Sequence, residues 1–165
     1  MPGGIYRYLA DDHARLDALL RRAFANSEEI DLEAYELFRA GLLRHIAMEE
    51  KILLPAAQDA RGGEPLAVAS KLRLDHGAFA ALLVPRPTPA IGATIRAILT
   101  DHNPLEEGAE GLYPTCDALL GNREEELVAR LRSAPEVKLA PFNEDPRIME
   151  VTRRALARAG YELKE

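Results

Sequence analysis

The chain has 165 residues, of which 47% are apolar and 29% are charged, and its formal net charge is −6 at pH 7. This balance is typical of one soluble globular domain, and it excludes a disordered chain. The acidic excess argues against nucleic-acid binding. The longest apolar run, Ala78 to Val84, is far shorter than the roughly 20 residues that cross a bilayer. The single cysteine, Cys116, allows no intrachain disulfide, and no secretory signal opens the chain, so we expect a cytoplasmic protein.

Four segments of helical length are separated by turn signals. These signals are Asn26-Ser27, Gly62-Gly63, Pro85–Pro89 and Gly121-Asn122. Within each segment apolar residues recur every three or four positions, which is the period of an amphipathic helix, and no segment alternates as a strand does. Because the connections are short, neighbouring helices are predicted to be antiparallel. The sequence therefore predicts an all-α fold built on a four-helix bundle.

One or two short helices are predicted after these four segments. The first spans Asn122–Arg132 and begins with its N-cap residue. The second spans Pro146–Ala159, with Asp145 as N-cap and a glycine directly after its last residue. We therefore divide the chain into a bundle, residues 1–121, and a C-terminal helical extension packed on it, residues 122–165.

Each histidine lies on a different predicted helix and on the apolar stripe of that helix. The four are His13, His45, His76 and His102. A single core histidine is usually structural and bonded to a carbonyl group or a water. Four imidazoles that face one interior need partners, because each unsatisfied buried polar group costs roughly 1–3 kcal/mol. A bound metal would satisfy several of them at once.

Two of these histidines are followed by a glutamate four residues later. Glu49 follows His45, and Glu106 follows His102. Side chains at i and i+4 lie on one side of a helix, so an imidazole and a carboxylate can reach the same metal. Four imidazoles and two carboxylates suit iron, manganese or zinc, and one cysteine cannot hold an iron–sulfur cluster. A ferritin-like site needs Glu-x-x-His motifs, which the chain lacks.

Pro104 leaves the choice of the second carboxylate open. A proline lacks the N–H and clashes with the carbonyl group four residues before it, so a break or kink is predicted between His102 and Glu106. Glu107 and Glu110 are therefore alternatives for this position.

Other polar side chains near the histidines are given structural interpretations. A residue next to a histidine points about 100° away around the helix, and three aspartates are therefore predicted to be solvated: Asp12, Asp75 and Asp101. Three tyrosines are predicted to lie in the core or at its rim rather than to bind metal: Tyr6, Tyr35 and Tyr113. The alternative is that a tyrosine near a vacant iron position donates a hydrogen bond to bound oxygen.

The two halves of the chain repeat one pattern. Each half has a helix with a single histidine and then a His-x-x-x-Glu-Glu motif, followed by Leu-Leu-Pro55 in the first half and Leu-Tyr-Pro114 in the second. In combination these motifs resemble the hemerythrin-like (HHE cation-binding) family over about residues 5–120. The resemblance implies an up-down-up-down bundle around a non-haem di-iron centre, bridged by two carboxylates and a solvent oxygen.

The resemblance also implies ligands and a function. Carried over by position, the ligands of one iron are His13 and His45, those of the other are His76 and His102, and the bridges are Glu49 and Glu106. Manganese or zinc are alternatives to iron. We expect a protein that binds a small diatomic ligand, dioxygen or nitric oxide, for sensing, storage or detoxification, with no assigned protein partner. The alternatives are a di-iron enzyme of peroxide or nitric-oxide stress, ranked lower, and an iron-sensing interaction module.

One departure bears on this function. The invertebrate oxygen carriers have a second histidine on the third helix, where this chain offers only Leu72 or Ala80. Neither side chain can bind a metal. The interpretation as a reversible oxygen carrier is weakened accordingly.

Overall fold

The computed structural model describes all 165 residues and contains helices but no strands. Four helical segments form the bundle: α1 (Gly4–Ala23), α2 with its continuation α3 (Leu32–Met48 and Leu54–Ala60), α4 (Ala69–Leu82) and α5 (Pro89–Glu107). Short connections join them. The predicted all-α, up-down-up-down four-helix bundle is confirmed. No helix combines the length and the apolar character needed to cross a membrane.

Capping side chains set several of the helix starts. Asp31 and Thr88 accept hydrogen bonds from backbone N–H groups in the first turns of α2 and α5. Asp145 does the same for α8 (Pro146–Ala159), and Gly160 follows that helix with a φ of 91°, a conformation that favours glycine. The predicted bounds of this last helix are therefore confirmed.

The second bundle helix contains one wide turn. Residues Glu49–Leu53 are π-helical, and the Leu54 N–H donates to the Glu49 carbonyl group five residues earlier. Pro55 follows directly and has no N–H with which to continue an α-helical ladder. The π turn accommodates the missing donor, and α3 continues the helix beyond it.

The fourth bundle helix continues through Pro104. Of the predicted break or kink, the break is absent: the helix ends at Glu107, and the chain then turns over Gly108–Gly111. Thr100 and Pro104 are both exposed, so water can bond to the carbonyl group that the proline leaves without a donor. Glu106 therefore stays on the same helix as His102.

Three further helices cover the bundle. Two of them, α6 (Leu112–Leu120) and α7 (Glu124–Arg132), pack on α1, and α8 packs on α4. The start of α7 lies two residues after the predicted one. Gly121–Arg123 form a 3₁₀ turn, and Asn122 lies inside that turn instead of capping the helix.

The apolar core is split into two clusters with a polar layer between them. On α1, Leu9 belongs to one cluster, Leu16 belongs to the other, and His13 lies between them. Leu72 and Phe79 flank the histidine of α4 in the same way. The bundle therefore holds its histidines at one level along its axis.

Candidate metal centre

All six predicted ligand residues converge in this polar layer. Five of them are at most 3% exposed, and the side chain of the sixth, on α1, is 9% exposed. They are His13 on α1, His45 and Glu49 on the second bundle helix, His76 on α4, and His102 and Glu106 on α5. Each of the four bundle helices thus contributes at least one side chain.

Four of these residues face a common point. Glu49, His76, His102 and Glu106 each direct one ligand atom to within 4.8 Å of the others. His76 Nε2 lies 3.3 Å from Glu49 Oε1, and His102 Nε2 lies 3.2 Å from Glu106 Oε2. Glu49 Oε1, His76 Nε2 and Glu106 Oε2 are buried and have no hydrogen-bond partner. Three unpaired buried atoms at one point form a donor set that a cation would satisfy.

A second group lies beside the first. His13, His45 and Glu106 direct ligand atoms to within 4.8 Å of one another. Tyr113 of α6 inserts its hydroxyl group here, 3.0 Å from Nε2 of both histidines. The same oxygen lies 2.9 Å from Glu49 Oε2 and 3.2 Å from Glu106 Oε1.

Tyr113 lies in the core, as predicted, but its hydroxyl group has polar neighbours. Its ring is fully buried, and its hydroxyl group belongs to the polar layer. The sequence contains one signal for a polar group at this position. In the repeated motif, Leu-Tyr-Pro114 replaces Leu-Leu-Pro55, so the tyrosine is a polar replacement at a position where the first half has a leucine.

Glu49 and Glu106 connect the two groups. Each presents one oxygen to the Tyr113 hydroxyl group and the other oxygen to the side of the layer that contains His76. Glu106 contacts His13 through Oε1 and His102 through Oε2, whereas Glu49 contacts His45 and His76 through Oε1 alone. The layer therefore offers two adjacent groups of ligand atoms that share Glu106.

The three carboxylates considered for the second bridge differ in burial and in neighbours. Glu106 is fully buried and faces both groups. The side chain of Glu107 is 32% exposed and lies behind His13, with Oε2 3.3 Å from His13 Nδ1. Glu110 is exposed.

Aspartates orient two of the imidazoles from behind. Asp12 Oδ2 lies 2.7 Å from His45 Nδ1, and Asp75 Oδ2 lies 2.9 Å from His102 Nδ1. A carboxylate at Nδ1 fixes the ring so that Nε2 faces the metal position. The prediction that these aspartates are solvated is wrong, because a side chain 100° from the core face of one helix lies against the next helix. Asp101 is exposed as predicted.

Burial and acidic neighbours have opposite effects on the pKa values of the imidazoles. Burial lowers the pKa of His13, but Glu106 and Glu107 outweigh it and raise that pKa to about 10. Acidic neighbours also outweigh burial at the other two imidazoles, and they raise the pKa of His76 to about 11 and that of His102 to about 9. For Glu106, burial raises the pKa, but the neighbouring imidazoles of His102, His13 and His76 hold it well below its usual range. A metal that binds here must therefore displace protons from the imidazoles.

A cavity of about 280 Å³ lies beside the six residues. Much of its wall is apolar, with Leu16, Phe38 and Leu42 among its lining residues. All six cluster residues line it, and so do Arg96 and Thr100, which are exposed. A small molecule can therefore reach the cluster from solvent while the bundle stays closed.

Comparison with known proteins relates this arrangement to one protein family. Residues 4–134 match the model of the hemerythrin HHE cation binding domain. No curated protein and no solved structure matches the chain. The match includes α1 to α7 and all six cluster residues, and it ends before α8. The chain therefore belongs to the hemerythrin HHE cation-binding domain family.

Proposed function

We propose that the cluster binds two iron ions. The ligands of one ion would be His13 and His45, those of the other would be His76 and His102, and the bridges would be Glu49 and Glu106. The observation that carries the proposal is the convergence of these six side chains from four helices on a layer with three unpaired buried polar atoms. Nitrogen and oxygen donors without a thiolate favour iron, manganese or zinc over softer metals.

The same site would bind dioxygen or nitric oxide. The cavity beside the cluster gives a diatomic molecule room next to the six residues, with Leu16, Phe38 and Leu42 in its wall. When bound, the irons would supply an exchangeable position and electrons for that ligand. The fifth histidine of the oxygen carriers has no counterpart here, since Leu72 lies in the apolar core and Ala80 is exposed. We therefore favour sensing, storage or detoxification of the ligand over reversible transport.

The first experiment compares two glutamates close together in the sequence. The wild-type protein, Glu106→Gln and Glu110→Gln are reconstituted anaerobically with ferrous iron, and their iron content and absorption are measured before and after exposure to air. We expect two irons per chain in the wild type and in Glu110→Gln, with new near-ultraviolet and visible bands in air. Glu106→Gln removes a shared charged ligand and is expected to retain one iron or none.

The outcomes separate the candidate functions. Bands that reverse when oxygen is removed support storage or sensing. Irreversible oxidation with rapid peroxide or nitric-oxide turnover supports the enzyme alternative, and a partner bound only by the iron-loaded form supports an interaction module. Wild-type protein without iron, with circular dichroism that shows an intact fold, would contradict the proposal.

We also infer that residues 1–121 form the metal-binding bundle and that residues 122–165 form a supporting extension. The extension supplies none of the six cluster residues, but it contributes Leu127, Leu131 and Leu156 to the two apolar clusters. Limited proteolysis of the loaded protein is expected to cut first in the unstructured link between α7 and α8. A cytoplasmic location is part of this proposal on the ground of the lone cysteine.

A further inference from the structure

The hydroxyl group of Tyr113 is surrounded by more polar atoms than it can bond. A phenol donates one hydrogen and accepts at most two. Four atoms lie within 3.2 Å of this oxygen: Nε2 of His13, Nε2 of His45, Oε2 of Glu49 and Oε1 of Glu106. The two carboxylate oxygens compete for the single phenol proton. Hydrogen bonding within the protein therefore accounts for three of these four contacts and leaves one carboxylate oxygen without a proton.

We propose that Tyr113 is a metal ligand, and that its phenol oxygen binds the ion held by His13 and His45. This inference rests on the proposed function, because it needs a metal in the cluster. The proton of the phenol would be released to solvent when the metal–oxygen bond forms. The two metal positions would then differ, one with a tyrosine ligand and the other without.

The distances support a shared ion. Metal–ligand bonds to nitrogen and oxygen are about 2.1 Å long, so adjacent ligands of an octahedral ion lie about 3.0 Å apart. The Tyr113 oxygen lies between 2.9 and 3.2 Å from all four neighbouring ligand atoms. His13 Nε2 and Glu106 Oε1 are also 3.0 Å apart. These spacings are those of neighbouring ligands around one ion.

The local backbone holds the tyrosine in this place. The turn before α6 brings Gly111 against the Glu106 carbonyl group, where an added Cβ would lie only 2.6 Å from the oxygen. The Tyr113 ring is fully buried and meets the Tyr6 ring edge to face, with centroids 6.0 Å apart. The packing of the ring and the turn before α6 therefore keep the hydroxyl group in the polar layer.

The proposal assigns unequal coordination to the two ions. The His13–His45 ion would have five protein ligand atoms, counting one oxygen from each glutamate and the tyrosine. The His76–His102 ion would have four. At the place of Tyr113, the first half of the repeat has Leu54, which is buried and cannot bind a metal. A small exogenous ligand would then bind at the ion with more open positions, beside His76.

The test uses Tyr113→Phe with Tyr6→Phe as the matched control, because Tyr6 packs on the same ring but donates to the Glu107 carbonyl group. Each protein is loaded with iron and oxidised. Its iron content, visible absorption and resonance Raman spectrum are then measured. A tyrosine bound to ferric iron gives a charge-transfer band and enhanced ring vibrations, which shift when the protein is labelled with ring-deuterated tyrosine.

We expect the band and the label-sensitive vibrations in the wild type and in Tyr6→Phe, and their complete loss in Tyr113→Phe with two irons retained. Two irons in the wild type without these signals would overturn the tyrosine ligand and leave the proposed function intact. One iron in the wild type and two in Tyr113→Phe would also overturn it, because the hydroxyl group would then fill the first metal position. A wild type that binds no iron would overturn both proposals. If Tyr113→Phe does not fold, the charge-transfer band and the label-sensitive vibrations of the wild type still decide whether a tyrosine binds the metal.

Discussion

The two halves of the cluster come from the same sequence repeat but have different surroundings. The His13–His45 half contains the hydroxyl group of Tyr113, whereas the other half has only imidazoles and carboxylates around it. The supporting aspartates differ as well. Asp12 is 12% exposed, and Asp75 is fully buried. The repeat thus supplies equivalent side chains, and the packing around them makes the two halves of the cluster unequal.

The two aspartates also differ in the basic side chain that donates a hydrogen bond to each of them. Asp12 accepts a hydrogen bond from the half-exposed Arg15 on its own helix. Asp75 accepts one of 2.7 Å from Lys71, whose Nζ also donates to the Ala159 carbonyl group at 2.7 Å. The second half is therefore connected to α8, outside the region matched to the family, and the first half is connected to the surface.

The largest expected effect is a difference in iron content between a variant of the first half of the cluster and a variant of the second. His13→Ala is expected to retain about one iron per chain, because the four ligand atoms around His76 stay in place. His76→Ala removes an atom from that group and is expected to retain less iron than His13→Ala. Elemental analysis of both variants after the same reconstitution gives the answer. Equal iron content in the two would contradict unequal positions.

A smaller effect is expected from the supporting aspartates. Asp75→Asn keeps the shape but removes the charge behind His102, and loss of such a partner typically weakens metal binding roughly 10–100-fold. Asp12→Asn should weaken it less, because water partly screens Asp12. Competition titrations with a chelating indicator measure both. Asp101→Asn, at an exposed position, serves as the control, and an equal loss in all three would refute the assignment.

The smallest effect is a dependence on pH. In the metal-free protein the pKa values of His13, His76 and His102 are raised above the unfolded value of 6.5. These groups therefore stabilise the metal-free fold most below about pH 6.5, and this stabilisation is lost as the pH rises through 9 to 11. The metal-loaded protein has displaced these protons, so its thermal midpoint should fall less between pH 7 and pH 10. A metal-free midpoint that rises over this range would disprove the linkage.

The sequence predicted the bundle and the level of the cluster because both depend on helical periodicity alone. It missed Asp12 and Asp75 as supports, since periodicity treats one helix at a time and these contacts cross between helices. It missed the hydroxyl group of Tyr113 because α6 follows a glycine turn whose direction no repeat specifies. It could not decide between a break and a continuing helix at Pro104, because the exposure of the freed carbonyl group depends on the packed structure.

The wide turn at Glu49–Leu53 has a consequence for how this chain tolerates change in length. A π turn contains one residue more than an α turn, so deleting one residue there would leave an ordinary α-helical turn, with the residues beyond it close to their present orientation. The same deletion within the α-helical part of α2 would rotate everything beyond it by about 100°. Leu53, Leu54 and Ala57, which now face the apolar core, would then turn away from it. The second bundle helix can therefore lose a residue at this turn with less damage to packing than in its regular part.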